Sequence, residues 1–245
     1  MALVGLDRPD KLNALDQAMV DELHGVLAEL STSPAVVVLH SRVEKVFVSG
    51  ADIAELLARD ADAGLRGINA ALFERLEAHP WPTIAVIDGP ALGGGCELAL
   101  ACDFRFATPR ARFAQPELGL GILAGAGGNW RLSATAGLSA ARRMLFAAET
   151  LSAEEALAAG LVDGVYDPVD VLDAAIGYAE RIGQQSWRAL QLTKAAMRLH
   201  RPATTAFDTV AQALLLESDD KRERMTAFLE ERQRRKASRE EKRND

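Results

Sequence analysis

Residues 89–100 read GPALGGGCELAL. Consecutive glycines at 93, 94 and 95 give the backbone access to φ > 0 and let a ligand approach the main chain closely. If such a turn opens a helix, its first N–H groups lack intrahelical acceptors and stand at the positive end of the helix dipole. That arrangement suits an oxygen on which negative charge develops. Glu97 then falls in the first helical turn, among Cys96, Leu98, Ala99 and Leu100. Taken alone, the stretch fits equally well with tight helix packing over small residues and Glu97 on the outer face.

Two flanking stretches sharpen this reading. Downstream, FAQPELGLGILAGAGGNWRL (113–132) sets Glu117 behind a proline, and Gly125, Gly127 and Gly128 precede a helical segment. A capped turn with a surface acid would also explain that stretch by itself. Two carboxylates framed by glycine turns and apolar residues are a more specific pattern than either one. Desolvation and mutual repulsion would separate their pKa values and supply an acid and a base from one residue type. Upstream, KVFVSGADI (45–53) reads as a short strand followed by a helix start. It adds a second backbone N–H from a separate loop, as an oxyanion hole requires.

Apolar runs at 35–40, 46–48, 83–88, 104–107 and 161–166 predict strands. Helical periodicity covers 16–31, 53–58, 66–78, 95–101 and 137–148 between them. Ser152 and Glu155 predict a capping box, and Gly160 ends that helix. Such alternation indicates an α/β fold with mainly buried strands. Beyond Pro168 only helices are predicted, over 169–183, 186–199, 203–217 and 219–236. The expected organisation is an α/β core over 1–167 and a helical region over 168–245.

With 245 residues, 49% of them hydrophobic and 26% charged, the chain has the composition of a globular protein with a sizeable core. No apolar run of membrane-spanning length and no signal-peptide pattern is present, so no membrane partner and a cytoplasmic location are expected. Cys96 and Cys102 fit neither a CxxC metal site nor a disulfide framework. The formal charge of −7 disfavours nucleic acid as a partner. Residues 221–245 carry ten basic and six acidic side chains, leaving the preceding chain near −11. Their mixed signs read as a solvated helix more than as a polynucleotide-binding arm. The histidines (His24, His40, His79, His200) are scattered without metal-ligand spacing. GLGILA at 119–124 matches the loose GxGxxG/A dinucleotide pattern but lacks the strand before it and the acidic residue after it.

These motifs resemble the enoyl-CoA hydratase/isomerase (crotonase) family: SGADI, GGGCELA and the QPE…GAGG segment. RPDKLNAL at 8–15 and MTAFLEER at 225–232 are also similar to that family, so the likeness runs in order along essentially the whole chain. It implies a spiral of ββα units with a C-terminal helical region that builds homotrimers, commonly paired into homohexamers. Relatives usually carry a further strand before ALVGLDRP, so a shortened first hairpin is expected.

The resemblance further implies an acyl-CoA thioester as substrate, with CoA carried by the substrate and no other cofactor or metal. The thioester oxygen would sit on the backbone N–H groups of Ala51 and Gly94. Glu97 and Glu117 would hold a water between them, Glu97 acting as base and Glu117 delivering a proton to the α-carbon, with Gly125 helping to position the water. Ala14, Lys45, Ser49, Asp52, Ile53 and Phe228 match positions around CoA, Phe228 sometimes from a neighbouring subunit. Ala54 and Glu231 stand where hydratases carry lysines. Ala124 replaces a proline, and Trp130 brings a large ring beside the acyl pocket, which residues 56–70 help to form. Carboxylates at both positions imply a hydratase. Double-bond isomerisation is the enzymatic alternative, and a non-catalytic acyl-CoA- or RNA-binding relative is the alternative of another class.

Overall fold

The computed structural model describes residues 1–198 and 205–244. Strand β1 (Ala2–Leu6), helix α1 (Gln17–Leu30) and strand β2 (Val37–Ser41) come first, then three short helices, α2 (Ile53–Ala58), α3 (Ala61–Arg66) and α4 (Ile68–Glu77). Next are β3 (Thr83–Ile87), β4 (Pro90–Leu92), α5 (Gly94–Ala101), β5 (Phe104–Ala107) and β6 (Arg112–Ala114). The chain continues through α6 (Gly128–Ala147), β7 (Leu151–Ser152), α7 (Ala153–Ala158) and β8 (Gly164–Val165). It closes with α8 (Val171–Gly183), α9 (Trp187–Arg198), α10 (Thr205–Leu216) and α11 (Asp219–Asn244).

Five strands form a parallel sheet in the order β1-β2-β3-β5-β8, and β4-β6-β7 form a smaller second sheet. Because side chains alternate across a strand, the larger sheet divides its apolar residues between two faces. Leu39, Ala85 and Ile87 join the main core with α1, α4 and α5, where Phe47, Phe73, Phe113 and Leu132 are fully buried. Val38, Ile84, Val86 and Phe106 point the other way, onto Val171, Ala175 and Ala179 of α8. Helix starts follow local capping: the Asp16 side chain accepts the Met19 amide at 2.9 Å, and Ser152 and Glu155 form the expected reciprocal box.

Several expectations are corrected. The strand expected at 46–48 is a single parallel bridge, Val48 to Ala91. The Phe47 and Val48 amides both donate to the Pro90 carbonyl, and Pro90 has no N–H to return. The helix expected at 66–78 is divided between α3 and α4 by Gly67 in the left-handed region. The one expected at 137–148 is the second half of α6, which begins at Gly128 and kinks at Gly137. At 161–166 only Gly164–Val165 is strand. Strands β1, β4, β6 and β7 are additions to the expected set. At the N-terminus, β1 pairs in parallel with β2, Val4 opposite Leu39.

The helical C-terminal segment lies partly against the core. Helix α10 packs on α3, and α11 packs on α2. Lys221 of α11 is buried, its Nζ donating to the Leu57 and Arg59 carbonyls at 3.2 and 3.1 Å. Among the described residues no helix is long and apolar enough to cross a membrane.

Candidate active site

All eight residues of α5 are buried, so this helix is enclosed on every side and Glu97 has no outer face to occupy. Its entry depends on two glycines. Gly93 has φ +50°, and a β-carbon there would stand 2.8 Å from Glu117 Oε1. A β-carbon on Gly95 would collide with the Val48 carbonyl. The glycine turn therefore presses α5 against the 45–53 loop on one side and Glu117 on the other.

That compression brings two amides together. Leu15 and Ala51 form a parallel bridge through the Gly50 carbonyl, which accepts from Leu15, and the Asp52 amide, which donates to it. In this pattern Ala51's own N–H points away from the bridge. The Ala51 nitrogen lies 3.4 Å from the position of a β-carbon on Gly94. Neither the Ala51 nor the Gly94 amide has a protein acceptor among the described residues.

Both carboxylates line the same cavity as these amides, together with Ser49, Ile53 and Gly125. Glu97 Oε1 accepts the Ala126 and Gly128 amides, each at 2.8 Å. The donors come from the glycine loop that starts α6, so they act from the positive end of a helix on a group that can carry charge. Arg131 braces this loop: its Nη1 donates to the Ala126 carbonyl at 2.7 Å and its Nη2 pairs with Glu77 at 2.8 Å. Glu117 is held differently. Burial, and secondarily the charge of Glu97, push its carboxyl up to about 8. At neutral pH the site thus holds Glu117 as a proton donor beside a carboxylate fixed by amides.

Of the other residues expected around CoA, Asp52 caps α2 and is buried. Burial pushes its carboxyl up, but Lys11 at 3.4 Å and the Ala54 and Glu55 amides outweigh this and hold it below the usual range. Ala14 is buried, its carbonyl accepting from Arg8 Nη1 at 2.7 Å. Lys45 is exposed at φ +60°. Phe228 is exposed on α11. Asp52, Ala14, Lys45 and Phe228 do not line the cavity.

Trp130 is also displaced from expectation. It lines a second cavity, of about 740 Å³, with Cys102, Asp103 and Lys194. Arg131, turned inward to its loop partners, stacks on the ring, 4.4 Å from the ring centroid. Ala124 is buried behind the glycine loop, outside the catalytic cavity. Ala54 is exposed, and Glu231 pairs with Arg235 at 2.8 Å along α11. GLGILA forms the turn after Glu117. His24, His40 and His79 do not line the cavity, and His200 lies outside the described residues. Burial pushes the Cys96 thiol up, so it has little thiolate character.

Four side chains in or behind the cavity are not singled out by the sequence, although Arg59 and Asn69 fall within 56–70 and Gln115 within the QPE segment. Gln115 is buried, and with its amide nitrogen toward Glu117 it donates to both carboxyl oxygens, at 3.1 and 3.0 Å. Arg59, Asn69 and Gln212 line the cavity from α2, α4 and α10. Gln115 could have been found from its place two residues before Glu117. Gln212 is far from every motif in sequence, and only the packing of α10 on α3 brings it in.

Comparison with known proteins agrees with the geometry. Residues 1–238 match the family model for enoyl-CoA hydratase/isomerase. A short-chain-enoyl-CoA hydratase of Clostridium acetobutylicum is 39% identical, over 95% of this chain and 92% of that protein. A crotonyl-CoA hydratase of Syntrophomonas wolfei is 37% identical, again over 95% and 92%. The crystal structure of an enoyl-CoA hydratase from Bacillus anthracis superposes with a TM-score of 0.77 at 33% identity, covering 94% of this chain and 92% of that one.

Proposed function

The chain belongs to the enoyl-CoA hydratase/isomerase family, and from that premise we propose that it adds water reversibly to a 2-trans-enoyl-CoA, giving a 3-hydroxyacyl-CoA. Glu97 takes a proton from a water, whose oxygen bonds to C3 of the enoyl group. The π electrons move toward the thioester, and the Ala51 and Gly94 amides hold the enolate oxygen. Glu117 then gives its proton to C2, and exchange of one proton from Glu97 to Glu117 restores the starting state. Gly125 borders the water.

The observation that carries this reading is the pairing of a buried Glu117, pushed up to about 8, with an amide-held Glu97 in one cavity. A single carboxylate suffices to move a proton between two carbons of an isomerase substrate. Adding water requires both a base and an acid. The reaction needs no cofactor beyond the CoA of the substrate. Assembly as a homotrimer or homohexamer in the cytoplasm, with Lys45, Asp52, Ala14 and a neighbour's Phe228 around CoA, belongs to the same proposal.

The test is the enoyl-thioester absorbance of crotonyl-CoA, which should fall when the protein is added and fall far more slowly with Glu97→Gln. If crotonyl-CoA and longer enoyl-CoAs are left untouched while a 3-enoyl-CoA is isomerised, the reaction is isomerisation.

A further inference from the structure

The wall of the catalytic cavity contains a cation that the hydration steps above do not use. Arg59 ends α2 and lines the cavity. Its side chain is only 15% exposed, and its Nη2 is buried with no hydrogen-bond partner among the described residues. The carboxylate within reach, Glu55, is 4.0 Å away, and the same Glu55 oxygen takes the Gln17 amide at 3.1 Å. Asp52 is committed to Lys11 and to the Ala54 amide. Burial depresses the basicity of Arg59, with Glu55 and Asp52 opposing that effect only in part. Guanidinium groups taken out of water are costly unless a carboxylate or phosphate meets them.

Arg59 shares this cavity with the apolar side chains of Ile53, Leu56, Ile68, Ile122 and Leu216 and with further polar groups. Asn69 Oδ1 is likewise buried without a partner among the described residues. Helix α10 contributes Gln212, whose Oε1 accepts the Leu123 amide at 3.4 Å. Beside them α3 meets α10, with Gly64 directly against Ala213 and Leu216, so this part of the cavity is closed by packed backbone. An uncharged alkyl chain would bury Arg59 more deeply and leave it unpaired. Among the residues lining the cavity, Arg59 is the only cation that a carboxylate on the acyl chain would meet.

We propose that Arg59 makes this cavity selective for 2-enoyl-CoA substrates whose acyl chain carries a second carboxylate. The inference rests on the hydratase reading for its reaction but on Arg59 for its selectivity. The planar guanidinium would receive the carboxylate through two N–H donors, and Lys at this position would reproduce the charge without that fork.

The experiment compares 2,3-dehydroadipyl-CoA with 2-hexenoyl-CoA, equal in chain length, on the wild type, Arg59→Met and Arg59→Lys. The wild type should favour the carboxylated substrate in kcat/KM by about tenfold or more, and Arg59→Met should lower that ratio by roughly 30-fold, with Arg59→Lys between them. An unchanged ratio in Arg59→Met overturns the proposal. So does an equal loss on both substrates, because that indicates contact with the CoA phosphates or a packing role. Competitive binding of saturated adipyl-CoA and hexanoyl-CoA supplies a readout without turnover. If neither enoyl-CoA is hydrated but adipyl-CoA binds more tightly in an Arg59-dependent way, the hydratase reading fails and the selectivity stands. Equal binding of the two overturns the selectivity. Should Arg59→Met fail to fold, Arg59→Lys decides by the same ratio.

Discussion

The Ala51 amide nitrogen stands 3.4 Å from the point at which a side chain on Gly94 would begin. Two segments 43 residues apart in sequence thus bring together N–H groups that have no protein acceptor among the described residues. In Gly94→Ala the new methyl would occupy the space between those donors and crowd an oxygen that must reach both. Removing one oxyanion donor lowers kcat by about 10²–10³-fold, and a comparable loss is expected here. Circular dichroism should remain that of the wild type. Full activity in Gly94→Ala would mean that these amides do not bind the reacting oxygen.

Glu117 gives the reaction an alkaline limit. With its carboxyl pushed up to about 8 by burial and by Glu97, it holds the needed proton at neutral pH and loses it as pH rises through that value. The rate of hydration, as kcat/KM, should therefore fall above about pH 8. A pH–rate profile measured from pH 6 to 10 checks this. A profile still flat at pH 10 would remove Glu117 as the proton donor.

The same shift bears on stability. A carboxyl raised in the folded state binds its proton more tightly there than in the unfolded chain, so stability declines as pH rises from the ordinary value of 4.5 to about 8. Glu117→Gln removes this loss. Relative to wild type the variant should gain on the order of a few kcal/mol at pH 8–9 and little at pH 4–5. Denaturant titrations at the two pH values would detect it, and equal differences at both would contradict it.

Gln115 modulates the proton on Glu117. Its amide nitrogen donates to both carboxyl oxygens and so favours the charged form left after proton delivery. In Gln115→Leu the alkaline limit should move to higher pH while the maximal rate falls by about tenfold, because the carboxylate formed in turnover loses its donor. A lower rate with an unmoved pH limit would assign Gln115 a purely structural part.

How far this site could be read from sequence depended on where its groups lie along the chain. Glu97 and Glu117 are legible because glycine turns and helix starts are local signals, Ala51 and Gly94 come from the family resemblance, and all four line one cavity. Strands β4 and β6 are not legible, since each has three residues and too short a period to register. The direction of Trp130 is not legible locally, since its ring packs on Arg131, whose partners Glu77 and Ala126 belong to other elements. Arg59 falls within the 56–70 stretch that the family resemblance assigns to the acyl pocket, but nothing local marks it as a buried cation. Its backbone is held by α11, where Lys221 donates to the Arg59 carbonyl from 162 residues away.

A cluster remote from the catalytic cavity provides a control for these variants. Lys194 is the buried residue of α9 among those described, and its Nζ donates to Asp103 at 2.6 Å and to the Trp81 carbonyl at 3.0 Å. Asp103 also accepts the Thr83 amide at 2.7 Å and the Thr83 hydroxyl at 3.0 Å. This pins α9 to the ends of β3 and β5. Lys194→Met keeps the apolar stem and removes the charge, leaving Asp103 with Thr83 alone. Fully buried pairs lose about 3–5 kcal/mol when one partner is removed. The Asp103 side chain is 29% exposed, so water relieves part of this, and about 2 kcal/mol is expected. The melting temperature should drop by roughly 4–8 °C, while kcat at 25 °C stays at the wild-type value. A variant that melts normally would show that the pair adds nothing. One that melts normally yet loses activity would tie α9 to the reaction by a route the cavity lining does not contain.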